Sequence, residues 1–156
     1  MQAIASPDIW SFQDALTRRL TLWSIFSILA GAWMTWGVPL FQNQPSIEYW
    51  RGIGIQFLAW GGIDLAIALL GRTGTKKRKA KLTPEEQLST QPQERARLAK
   101  ILWLNTGLDV LYVAAGVALI VTLGRSNLFW RGGGWGIIIQ GGFLFFFDVV
   151  HAWQLR

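Results

Sequence analysis

The amino-acid sequence predicts an all-α integral membrane protein, a bundle of four transmembrane helices with both termini inside (N-in/C-in) and two tandem two-helix repeats. Three observations predict it. First, the chain of 156 residues is 51% hydrophobic and 15% charged, with ten Trp and seventeen Gly, a balance too apolar for an ordinary soluble domain. Second, four apolar stretches, at about residues 20–40, 52–71, 101–123 and 134–153, are long enough to cross a hydrocarbon layer of ~30 Å at ~1.5 Å per helical residue. Third, the basic residues fall on one side of those stretches. Nine Lys/Arg lie from Arg72 to Lys100, including TKKRKAK (Thr75 to Lys81), and Arg18, Arg19 and Arg156 share that side; the other side holds Arg51, Arg125 and Arg131. This split of twelve to three predicts cytoplasmic termini and a cytoplasmic central loop, in a prokaryotic inner or plasma membrane.

The net charge of +6 is accounted for by orientation and by contact with anionic membrane lipids, so no nucleic-acid partner is expected. Cys is absent and there is one His, which excludes disulfides and thiolate metal sites and leaves no metal or cofactor expected.

Residues 1–19 start with Ser6-Pro7-Asp8, a helix-start pattern with Ser as N-cap. Ile9, Trp10, Phe12 and Leu16 follow among polar residues. The segment either lies on the inner membrane surface as an interfacial helix or extends the first transmembrane helix. Residues 20–71 form the first two-helix unit, and the start MQAIASPD has no basic region of a signal peptide, so its first helix is expected to be retained. Residues 72–99 read as a basic loop carrying a short helix signalled by Thr83-Pro84-Glu85-Glu86, with a second start near Pro92. Residues 100–156 form the second unit. The far-side connections, at about residues 41–50 and 124–133, are short and make successive helices antiparallel neighbours. Trp23, Trp103 and Trp153 fall near the inner boundary, and Trp33, Trp36, Trp50, Trp130 and Trp135 near the outer one. That is an interfacial belt, not an aromatic cage. Trp60 alone is left at mid-depth.

Aromatic-Trp-Arg-Gly-x-Gly occurs twice, at Tyr49 to Gly54 and at Phe129 to Gly134. Each copy is followed by a Gln and, eight residues later, an Asp: Gln56 and Asp64, Gln140 and Asp148. The Arg-to-Gln spacing differs by four residues, about one helical turn, so each Gln is expected on nearly the same face. The pattern points to a tandem duplication about an axis along the membrane normal. Gly62 and Gly107, each two residues before an Asp, are expected to let backbones approach closely.

Three Asp lie inside the spans. Asp64 is eight residues before Arg72, Asp109 nine after Lys100 and Asp148 eight before Arg156, which places them at one depth, ~12 to 14 Å from the basic boundary. A charged Asp at mid-bilayer costs ~2.5 to 3.5 kcal/mol on insertion scales, so such groups face the interior, pair or stay neutral. Asp64, Asp109 and Asp148, with Gln56, Gln140, Asn105 and Tyr112, are the expected polar intramembrane layer. It serves either proton or cation handling, or interhelical hydrogen bonds that fix register. His151, one turn from Asp148, is a candidate proton relay. Arg51 and Arg131, at helix starts among glycines, are candidate contacts for an anion or lipid headgroup.

Two functions fit. One is a small transporter or channel for a proton, cation or small solute, working as a homodimer because four helices barely enclose a path. The other is a non-catalytic accessory or assembly subunit of a larger membrane complex. No enzyme is expected: no Gly-x-Gly-Asp of intramembrane aspartyl proteases, no Ser-His pair and no nucleotide loop occurs.

Overall fold

In the computed structural model of the protein, residues 8–41 and 46–156 are described. Helix α1 is Ile9–Ala32, α2 is Ser46–Lys79, α3 is Pro84–Ser89, α4 is Gln91–Val121 and α5 is Leu128–Gln154. No strand occurs among the described residues. Four segments are long and apolar enough to cross a membrane: Ile9–Leu40, Ser46–Lys79, Gln91–Val121 and Leu128–Gln154. This is consistent with a multi-pass membrane protein.

The expected cap Ser6 lies outside the described residues; the N-cap is Asp8, whose carboxylate accepts from Ser11 N at 3.1 Å. From there α1 runs without a break past Arg18 and Arg19, so residues 9–19 extend the first helix and do not form a separate surface helix. The reason is packing. Ile9, Trp10 and Leu16 are buried against Leu102 of α4 and Ala152 and Leu155 near the end of α5, which satisfies their apolar face inside the protein. At its other end α1 loosens into a π-turn, Trp33–Gly37, and a 3-10 turn, Val38–Leu40.

The basic run is mostly helix rather than loop, because α2 continues to Lys79. Lys76 to Lys79 then stand on its last turn, where cations complement the helix dipole. The central connection shrinks to a tight turn plus α3, closed by a capping box in which Glu86 N donates to Thr83 Oγ1 at 3.3 Å and Thr83 N to Glu86 Oε2 at 2.8 Å. Helix α3 is tethered: Trp10 Nε1 donates to Gln87 O at 3.3 Å, and Gln87 Nε2 donates to Lys79 O and Leu82 O. Asn127 caps α5, accepting from Trp130 N at 3.2 Å.

The helices pack in the order α1, α2, α5, α4, with α1 and α4 meeting little and α2 and α4 not closely packed. Glycines set this order at the end away from the basic residues. A Cβ on Gly31 would lie 2.7 Å from Gly54 O and one on Gly54 2.8 Å from Gly31 O; on the other side Gly116 and Gly134 face each other's carbonyls at 2.8 and 2.7 Å. Between the two pairs, Gly52 rests on Phe129 O and Gly132 on Tyr49 O, so α2 crosses α5 backbone to backbone. Gly62 and Gly107 do not work this way. A Cβ there meets nothing within 4 Å, because both stand on exposed outer faces of their helices, about 200° round from the buried Asp two residues on.

An acid-lined cavity as the candidate functional site

Tight packing at the glycine end leaves space at the basic end. Two adjoining cavities fill it. The deeper, of about 190 Å³, is walled by Asp64, Asp109 and Asp148 with Asn105, Trp60 and Tyr112. The second, of about 240 Å³, runs from Asn105 and Asp148 to a mouth formed by Gln13, Thr75, Arg78 and Glu94. Leu20, Ile67, Asn105 and Asp148 line both, so the two share a wall.

Helical periodicity explains the lining. On α4, Glu94, Leu98, Ile101, Asn105, Asp109 and Tyr112 recur at three or four residues and form one stripe; on α2, Trp60, Asp64, Ile67, Gly71, Thr75 and Arg78 do the same. Glu94, Gln13 and Thr75 were not singled out from the sequence. The signal was present for Glu94, which lies on the stripe of Asn105 and Asp109.

The three acids are brought together and buried, with Asp64 at 3%, Asp109 at 4% and Asp148 at 6% exposure. Asp148 is paired with the Asn105 side chain. Asp64 Oδ2 and Asp109 Oδ2, by contrast, are buried without a hydrogen-bond partner. Among the described residues no ion pair reaches them. A buried polar atom left unpaired costs ~1–3 kcal/mol, a cost that Asp64 and Asp109 both carry in the wall of the cavity. Among the described residues no three of His, Cys, Asp and Glu converge to hold a metal ion.

The mouth is a polar cluster tying three helices together. Thr75 Oγ1 donates to Gln13 Oε1 at 2.7 Å, Gln13 Nε2 donates to Glu94 Oε2 at 3.3 Å, and Arg78 Nε lies 3.3 Å from Glu94 Oε1. Arg78 Nε makes no aligned hydrogen bond, so that contact is chiefly coulombic; Arg78 Nη2 donates to Glu94 Oε2 at 3.4 Å.

The other sequence candidates lie elsewhere. Gln140 is fully buried, donating to Ser27 Oγ and accepting from Trp23 Nε1, both at 3.1 Å. It joins α5 to α1. Gln56 is half-buried at the α2–α5 crossing, where a Cβ on Gly136 would come 2.7 Å from its own Cβ. The two Gln therefore face different neighbours and line neither cavity. Tyr112 stands at the acid layer, in a T-shaped contact with Trp60 at 4.6 Å, a partner for the one mid-depth Trp that the sequence did not reveal. His151 is outside the cavity: Nδ1 meets Phe147 O at 2.6 Å and Nε2 meets Arg19 Nη1 at 2.8 Å. An Arg N–H can only donate, so Nε2 accepts and Nδ1 carries the proton. Relaying a proton would require His151 to release Arg19. Arg51 pairs with Glu48 at 3.1 Å, and Arg131 donates to Gly124 O at 2.8 Å and Arg125 O at 3.2 Å, closing the loop before α5. Their guanidinium groups are engaged within the protein rather than held together as one anion site.

No curated protein and no solved structure matches the chain. Residues 19–149, which hold all four long helices in whole or large part, match a family of unknown function, DUF6992, and the chain belongs to that family.

Proposed function

We propose that the protein carries a proton or a small cationic solute across the membrane, using the acid-lined cavity as its binding site. The observation that supports this best is a cavity walled by three buried acids with no base among its lining residues, beside a second cavity that has a polar mouth. A purely structural role in fixing helix register would give each buried carboxylate an interhelical donor, as Asn105 gives Asp148. Asp64 and Asp109 each keep one oxygen without any donor. The cavity lies within one chain, so this reading requires no second copy to form the site.

We also propose that the basic end is cytoplasmic, on the twelve-to-three division of Lys and Arg, and that the two halves arose by duplication. Support for duplication comes from the motif positions. Gly52 and Gly132, the fourth residues of the two motif copies, each rest on the carbonyl of the other copy's first residue, Phe129 or Tyr49. Gly54 and Gly134, the sixth residues, each pack against a glycine of the preceding helix. Reciprocal contacts of this kind are those of a twofold interface.

The test is cation and proton flux in proteoliposomes for the wild type and for Asp64→Asn, Asp109→Asn and Asp148→Asn. Flux should fall by about tenfold or more in the first two, a loss of at least ~1.4 kcal/mol in the rate-limiting step, with little change in thermal stability. Unchanged flux in both would remove the acids from the path. Stoichiometric co-purification of other chains, with no flux by the isolated protein, would favour the accessory-subunit role instead.

A further inference from the structure

Resting on that reading of the cavity, we infer that its solute is an organic ammonium ion with an apolar body, reaching Asp64 and Asp109 from the bilayer through the gap between α2 and α4. An inorganic cation must exchange most of its water for several converging oxygens, and among the described residues no acid cluster converges in that way. Apart from the three acids and Asn105, the deep cavity is walled by aliphatic and aromatic side chains, among them Ile63, Leu108 and Leu144. Such walls suit a solute that brings its own apolar surface, worth ~25 cal/mol per Å² removed from water. The charge has two further complements. Asp64 and Asp109 line the cavity and each keeps one oxygen without a donor, which an ammonium N–H would supply once the carboxyl group turns inward, and the aromatic pair Trp60 and Tyr112 lines the same cavity.

Geometry also selects the route. Helices α2 and α4 are not closely packed, and Ile63 and Leu108, on the two sides of the gap, are 48% and 43% exposed. The aqueous mouth, by contrast, is crossed by the Gln13, Thr75, Arg78 and Glu94 cluster, where Arg78 and Arg97 outnumber the single Glu94 and leave a net positive charge that disfavours a cation. A lipophilic amine partitions into the membrane and reaches the acids without passing Arg78.

The experiment uses the full chain in lipid nanodiscs and four probes: 2-phenylethylamine, ethylamine, 2-phenylethanol and sodium chloride. Binding is read as a rise in melting temperature and as protection of Asp64 and Asp109 from dicyclohexylcarbodiimide, mapped by peptide mass spectrometry. Phenylethylamine should protect both acids, ethylamine and phenylethanol about tenfold more weakly or worse, each lacking one of the two recognised features. The double variant Asp64→Asn/Asp109→Asn should lose the phenylethylamine-dependent rise. Because carbodiimide mapping is done on the wild type, a variant that fails to fold leaves the decision intact. Equal protection by the alcohol, by ethylamine or by sodium overturns the inference. Acid-dependent proton flux without any phenylethylamine binding also overturns it, while leaving transport standing. Phenylethylamine protection without flux of any cation does the reverse.

Discussion

Gly52 and Gly132 are places where one added carbon decides whether α2 and α5 can cross. A Cβ at either would strike a backbone carbonyl, Phe129 O or Tyr49 O, and backbone cannot swing aside as a side-chain tip can. Gly132→Ala should therefore lower stability by ~1–3 kcal/mol, the usual range for overpacking. Gly62→Ala and Gly107→Ala meet open space and replace a helix-interior glycine, so they should be neutral or stabilise by up to ~1 kcal/mol. Thermal unfolding followed by Trp fluorescence separates the two classes; equal effects at all positions would contradict the crossing. Residue spacing alone could not make this distinction. A glycine beside an Asp and a glycine beside an Arg look equally suited to close packing until the rotation of each helix against its neighbours is known.

Helix α1 shows how an element can belong to both membrane and protein. Its first two turns bury Ile9 and Trp10, at 0% and 4% exposure, in the apolar cluster with Leu102, Ala152 and Leu155. Trp10→Ala should cost ~3–5 kcal/mol, as large-to-small changes in a filled core do, and should also release the tether to Gln87 O. Limited proteolysis of detergent-solubilised protein checks this, with new cleavage expected near α3; an unchanged digest would mean that the cluster is not what holds α3. At the mouth, Arg78 and Glu94 side chains are 38% and 15% exposed. A double-mutant cycle with Arg78→Gln and Glu94→Gln should give no more than ~1 kcal/mol of coupling, since solvent reaches the arginine. A larger value would indicate that the cluster is closed off from water. The four long apolar helices, the helix start at Thr83 and the meeting of Asp64, Asp109 and Asp148 were legible because hydropathy and helical rise depend on the local chain only. The partner of each face was not. Counting residues put Gln56 and Gln140 on similar faces, but the first meets Gly136 of α5 and the second Ser27 of α1, because the order of helices is a tertiary fact that spacing does not contain.

At the scale of the whole molecule the bundle is asymmetric along its length. Glycine contacts pull α1, α2, α5 and α4 together at one end, and the space released at the other becomes the cavity over the acids. We predict that water reaches the acids from the basic end alone. The protein has no Cys, so a single introduced thiol reports its own surroundings. Thr75→Cys stands at the mouth and Ile67→Cys on the wall that the two cavities share; Ser126→Cys is exposed in the loop before α5, at the opposite end. In oriented vesicles, a membrane-impermeant thiol reagent added on the basic side should label positions 75 and 67, and on the other side only position 126. The rate at position 67 should fall below that at position 75, because residue 67 lies about two helical turns farther from the basic end. Labelling of position 67 from the glycine end would show that the α2–α5 crossing opens, and the protein would then present its acids to both sides. Labelling of position 75 but not of 67 would place the barrier at the mouth cluster and leave the acids open to the bilayer alone.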